Sequence, residues 1–183
     1  MKTESTAKFV IRLTVTLLLI TSVVAALLAA VDGITAPKIA ALKEQKTQQA
    51  IEAVLPGGGS ELDSFSDATG LVSTVYKGEN GYAVQVAPIG FNGAVTMMVG
   101  VGNDGTVLGI SVVSQSETAG LGAICAATTS AGEAFRGQFA GLSGSVSVTK
   151  DGGQVDAISS ATITSRAVCT GVNAALSCVA AMG

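Results

Sequence analysis

The chain has 183 residues, 48% apolar, 13% charged and 4% aromatic, with a formal net charge of −3. That apolar content excludes a disordered chain, and the absence of histidine excludes Ser-His-Asp and Cys-His catalysis as well as histidine metal ligation. Three cysteines without a CxxC leave no zinc knuckle or dithiol motif, and an acidic chain without tryptophan speaks against nucleic acid as a partner.

Residues 1–12 carry Lys2, Lys8 and Arg12 against one acid, Glu4. The next 19 residues, Leu13–Val31, contain no charge. At about 1.5 Å per residue this run, with Phe9 to Ile11 before it, can cross a hydrocarbon core of about 30 Å. The basic flank places the N-terminus in the cytoplasm and the rest of the chain outside it. A cleaved signal peptide is the alternative, although no strict Ala-x-Ala occurs and Val24-x-Ala26 is the nearest match. Residues 32–59 read as a juxtamembrane helix and linker. The helix runs from Pro37 to Leu55, with Lys38, Lys43, Glu44 and Lys46 outward and Ile39, Leu42, Ile51, Val54 and Leu55 spaced for contact, and Pro56 to Gly59 end it. From residue 50 onward four Lys and Arg stand against ten Asp and Glu.

Residues 60–183 read as one α+β domain, an antiparallel sheet with flanking helices. Tyr82, Val84 and Val86 alternate with smaller or polar residues, as do Val95, Met97, Val99 and Val101. Asn103-Asp104-Gly105 then supplies a tight turn before Leu108, Ile110 and Val112 resume the alternation. A helix is predicted over 126–139, a short strand at Val146 and Val148, and a closing helix from Ser165 to Met182.

Two local features stand apart from this scaffold. One is Ser159-Ser160-Ala161-Thr162-Ile163-Thr164-Ser165, five hydroxyls in seven residues before the last helix. Free N–H groups and the dipole at a helix start form an anion site, to which hydroxyls add donors; plain capping is the competing reading. The other is Glu117-Thr118-Ala119-Gly120-Leu121-Gly122, a Gly-rich loop with an acid where a strand ends. Taken alone it reads equally well as a turn.

Together these stretches resemble the FMN-binding domain shared by the G subunit of the Rnf electron-transport complex and the C subunit of the Na+-translocating NADH:quinone reductase. The family signature Ser-Gly-Ala-Thr-x-Thr-Ser is matched by Ser159 to Ser165, and its Glu-Thr-Pro-Gly-Leu-Gly by Glu117 to Gly122. Gly90-Phe91-Asn92-Gly93, Phe135 and Gln138-Phe139-Ala140-Gly141 add smaller matches, and the chain length is closer to the Rnf subunit. The resemblance implies that residues 60–183 are an FMN-binding domain. FMN would be joined through its phosphate to the final Thr of the signature, Thr164, by a separate flavin transferase. Ser159, Ser160, Ala161, Thr162 and Ser165 would surround that phosphate. Glu117, Thr118, Gly120, Leu121 and Gly122 would border the flavin ring from the opposing loop.

The implied function is electron carriage within a membrane-bound, ion-translocating ferredoxin:NAD oxidoreductase. The partners would be integral membrane and redox subunits, with the domain on the outer face of the cell membrane and no turnover by the chain alone. Two other classes remain, a stand-alone membrane-tethered flavoprotein and a non-redox binding module on a membrane anchor. The chain departs from the family pattern at Ser160, in place of Gly, and Ala119, in place of Pro. If position 160 needs φ > 0, serine costs about 1 kcal/mol there. Cys125, Cys169 and Cys178 read as small core residues, the latter two about 13 Å apart along one helix.

Overall fold

The structure, a computed structural model, describes residues 6–65 and 67–182, with side chains from residue 8. Lys2 and Glu4, which enter the charge balance of the N-terminal flank, lie outside the described residues. The chain divides into two compact units, residues 1–44 and 45–183.

Helix α1 (Thr6–Val54) is one 49-residue helix. The helix expected to run from Pro37 does not start there but continues the apolar run without interruption. Pro37 forgoes one N–H and Gly33 costs about 1 kcal/mol, and Leu27 to Ala30 before them and Lys38 and Ala40 to Lys43 after them include strong helix formers. From Phe9 to Val31 the large apolar side chains are about half exposed or more on every face of the helix. That is the surface of a segment matched to lipid rather than to a soluble core. Thr14, Thr16 and Thr21 donate back to the carbonyls of Val10, Arg12 and Leu17 at 3.0, 2.7 and 3.0 Å, so their hydroxyls are satisfied within the helix. Ile39 and Leu42, expected to make contacts, are exposed.

The second unit is built on a five-stranded antiparallel sheet in sequential order: β1 (Ser60–Glu61), β2 (Val72–Lys77), β3 (Gly81–Val86), β4 (Thr96–Gly102) and β5 (Val107–Ser114). The three strands foreseen from alternation are consecutive in it, with Val84 opposite Val99 and Val99 opposite Ile110. Both faces of the sheet are covered. Val84, Val86, Met97, Val99 and Ile110 form the main core with Val168, Val172 and Ala175 of α3 (Thr162–Ala180). On the opposite face Ala83, Met98 and Val113 pack beneath Ala50, Ile51, Val54 and Leu55 at the end of α1. Double coverage is why β4 is buried almost throughout. Gly100 on β4 makes the close approach possible, since a Cβ there would lie 2.3 Å from the Val54 carbonyl oxygen.

The stretch predicted as one helix over 126–139 is split. A 3-10 turn spans Gly122–Ala126, and α2 (Ser130–Gly137) starts from a Thr129 cap that accepts the Gly132 N–H. Val146 and Val148 form no strand: Val148 makes an isolated parallel bridge to Val155, and Thr149–Asp151 is a 3-10 turn. Helix α3 begins at Thr162 rather than Ser165, which carries the end of the hydroxyl run into its first turn. All three cysteines are free and buried.

Candidate functional site at the start of the closing helix

After β5 the chain enters the Gly-rich loop. Gly120 takes φ +74°, and the Thr118 carbonyl accepts from the N–H groups of Leu121 and Ala123 at 3.1 and 3.2 Å. This turn folds Glu117 inward and leaves Leu121 partly exposed at the rim. Glu117 is only 8% exposed. Its Oε1 accepts the Asn92 N–H at 2.9 Å, and its Oε2 accepts the hydroxyl of Thr164. The Asn92 side chain also donates to Thr118 Oγ1 at 3.2 Å. Gly122 lines this contact, because a Cβ there would stand 2.5 Å from Thr164 Oγ1 and 2.6 Å from Glu117 Oε2. Any side chain would displace the pair.

The start of α3 faces this loop. No side chain caps it, and helix geometry leaves the N–H groups of Thr162, Ile163 and Thr164 without intrahelical acceptors. Capping, the competing reading of the hydroxyl run, is therefore not seen at the start of α3. Ser165 accepts the Ile158 N–H and donates to the Ala161 carbonyl, both at 3.0 Å, tying the preceding turn to the helix. Ser160 has φ +61°, the left-handed conformation that glycine would adopt without strain. Lys150 reaches Thr162 Oγ1 with its ammonium at 3.4 Å. The neighbouring Asp151 is held by a bidentate bridge from Arg166, with both contacts at 2.7 Å, and its carboxyl lies below the usual range because of that bond. Lys150 thus adds a positive charge to the positive end of the helix dipole.

Loop and helix enclose a cavity of about 320 Å³. Its walls include Glu117, Thr118, Leu121, Gly122, Ser160, Ala161, Thr162 and Thr164, eight of the eleven residues singled out in the sequence. Ser159, Ser165 and Gly120 lie outside the wall. Phe91 and Ile163 also line the cavity and were not foreseen as site residues. Asn92 and Lys150 were not foreseen either. The Gly90–Gly93 turn carried a signal for Phe91 and Asn92, whereas nothing in the sequence tied Lys150 to Thr162. A larger open hollow of about 500 Å³ near Tyr82, Asp104 and Leu176, at the other end of α3, contains none of these residues.

The two threonines of the signature line the same cavity but differ in their partners. Thr164 is 1% exposed, and its hydroxyl donates to the Glu117 carboxylate. Thr162 is half-buried at the first position of α3 and accepts from Lys150. A carboxylate therefore accepts from Thr164, and a cation donates to Thr162. Cys125 is fully buried, and burial followed by the charge of Glu117 pushes its thiol up to about 11, so it is no nucleophile at neutral pH.

The donor set suits FMN. Helix N–H groups, the Thr162 hydroxyl and Lys150 match a phosphate, and Phe91, Leu121 and Ile163 offer apolar surface to a ring.

Residues 90–177 match the FMN-binding domain family. The chain is 35% identical to the G subunit of the ion-translocating oxidoreductase complex of Methanosarcina acetivorans, covering 97% of this chain and 98% of that one. It is 30% identical to the G subunit of the Na(+)-translocating ferredoxin:NAD(+) oxidoreductase complex of Acetobacterium woodii, over 91% and 89% of the two chains. To the G subunit of the proton-translocating ferredoxin:NAD(+) oxidoreductase complex of Clostridium ljungdahlii it is 35% identical, over 82% and 80%.

Proposed function

Because this chain belongs to the family of G subunits of ion-translocating oxidoreductase complexes, whose FMN-binding domain it carries, we propose that it is the electron-carrying flavoprotein subunit of a ferredoxin:NAD oxidoreductase, with FMN attached through a phosphoester to Thr164. A separate flavin transferase makes the ester. Integral membrane and redox subunits of the complex are the electron partners, and α1 is the single membrane anchor, with the folded unit outside the cytoplasm. The observation that carries this reading is the convergence of the Glu117–Gly122 loop and the uncapped start of α3 on one cavity.

FMN supplies the redox chemistry when bound, and the residues of the chain hold and orient it. The N–H groups at the start of α3 and the Lys150 ammonium attract the phosphate, where opposite charge and the helix dipole act together. Phe91, Leu121 and Ile163, which line the cavity, would offer the ring an apolar surface. Two things support Thr164 over Thr162 as the attachment residue. Thr164 holds the final position of the signature, and its hydroxyl is bonded to a carboxylate in the cavity wall. Among the described residues no carboxylate bonds to Thr162, and its contact with Lys150 suits a residue that helps to hold the phosphate.

The test is in-gel flavin fluorescence after denaturation, on protein co-expressed with a flavin transferase, comparing wild type, Thr164→Val and Thr162→Ala. Denaturation strips any flavin that is not covalently bound. A fluorescent wild type, a dark Thr164→Val and a fluorescent Thr162→Ala are expected. The reverse pattern would move the ester to Thr162. A dark wild-type band, beside an acceptor domain labelled in parallel, would contradict the flavoprotein reading.

A further inference from the structure

Glu117 is the one titratable side chain in the wall of the flavin cavity among the described residues. It is more than nine-tenths buried and forms no ion pair; the ion pair observed among the described residues joins Arg166 to Asp151. Both its oxygens instead accept from neutral donors, the Asn92 N–H and the Thr164 hydroxyl. Glycine backbone closes in on both sides. A Cβ at Gly90 would lie 2.6 Å from Oε1, and one at Gly122 would lie 2.6 Å from Oε2. The carboxylate cannot swing to solvent without moving two loops. A buried acid held this firmly, without a cation, is more than a structural tie, since a hydroxyl or amide could bridge the same donors without the desolvation cost of a charge.

We infer that Glu117 is a catalytic residue of the chain's own flavinylation, the general base that takes the proton of the Thr164 hydroxyl as the phosphoester forms. The inference rests on the FMN reading above, and it assigns the acid that activates the hydroxyl to this chain rather than to the transferase. The co-reactant is a flavin dinucleotide, whose pyrophosphate carries the FMN group. The Thr164 Oγ1–H bond breaks and its proton passes to Glu117 Oε2. A bond forms between Oγ1 and the flavin-side phosphorus, the pyrophosphate P–O bond to that phosphorus breaks, and the nucleoside monophosphate leaves with the bridging oxygen. No group is oxidised or reduced. A threonine hydroxyl is a weak nucleophile at neutral pH, and a base already bonded to it is the usual means of activation. The proton that Glu117 gains also leaves a neutral acid, rather than a second anion, beside the new phosphate.

The experiment uses the full chain in detergent, purified from cells without a flavin transferase. Transferase and an excess of flavin adenine dinucleotide are added, and in-gel fluorescence follows the rate of covalent labelling for wild type, Glu117→Gln and Glu117→Asp. Glutamine keeps the size and the hydrogen-bonding reach of the side chain but cannot take up the proton. The expected result is labelling of Glu117→Gln about a hundredfold slower than wild type, with an unchanged circular dichroism melting curve before transferase is added. Asp, whose carboxylate is shorter by one methylene, should label at a rate between the two. A folded Glu117→Gln protein labelled as fast as wild type overturns the inference and leaves the FMN reading intact. If Glu117→Gln does not accumulate folded, Glu117→Asp decides: slowed labelling supports the inference, and the wild-type rate overturns it. A Thr164→Val protein that still labels also overturns it, since the attacking hydroxyl would then lie elsewhere. A wild type that stays dark removes the FMN reading and this inference together.

Discussion

Ser160 sits at φ +61°, the one non-glycine residue on the left-handed side of the backbone map among those described. The family signature has glycine there, and the turn into α3 explains why: the chain must reverse to bring the first turn of the helix, with Thr162 and Thr164, to the cavity. Serine holds the same turn under strain of about 1 kcal/mol. Ser160→Gly should therefore raise the melting temperature of the full chain in detergent by about 2 to 4 °C, read by circular dichroism. A lower melting temperature would show that the serine hydroxyl contributes more than its backbone costs. At this scale the sequence was a good guide wherever a residue type has a restricted conformational or chemical use. Glu117, Gly122 and the hydroxyl run were legible through their joint match to the family signature, since each stretch alone read as well as a turn or as helix capping. Asn92 was not legible as a ligand of Glu117, because it acts through a backbone N–H that every residue but proline possesses. Lys150 was not legible either, since a 3-10 turn and the Asp151–Arg166 bridge, rather than any periodicity, bring it to Thr162.

Among the elements, the site depends on where α3 begins and on how tightly both faces of the sheet are covered. The apolar spacing of Val168, Val172, Leu176 and Val179 revealed the body of α3 but not its start, because Thr162, Ile163 and Thr164 read as loop by propensity and are helical through packing. The alternation of β3, β4 and β5 was equally plain. Strand β2 was hidden by its mixed surface, with Ser73 and Lys77 exposed and only Val75 fully buried. The end of α1 carried the opposite ambiguity: Ile51, Val54 and Leu55 were read as contact residues, yet only the structure shows the sheet face they cover. That packing is tested at Gly100, where a side chain would meet the Val54 carbonyl oxygen. Gly100→Ala should destabilise the folded unit by about 1 to 3 kcal/mol, the usual cost of overpacking, measured as a lower urea midpoint. An unchanged midpoint would mean that the end of α1 does not rest on β4.

For the whole molecule, an apolar helical segment and an acidic folded unit share one chain with an FMN-binding domain. On the proposed reading, a membrane anchor would confine the flavin to the membrane surface and an ester would keep it from being lost to solvent, both of which suit a carrier with membrane-bound partners. Thr162, Thr164 and the open helix start reach the cavity from α3, whereas Glu117, Phe91 and Leu121 reach it from the loops opposite. The Thr164 hydroxyl and the Glu117 carboxylate thus lie on separate elements, and the pair forms only when the sheet and α3 are packed together. The claim on which the rest depends is the phosphoester at the start of α3, and tandem mass spectrometry of the tryptic peptide 151–166 from transferase-treated protein tests it most directly. The predicted peptide is heavier by FMN less one water, with fragment ions that assign the added mass to Thr164. An unmodified peptide, or the mass on any other residue, would contradict it.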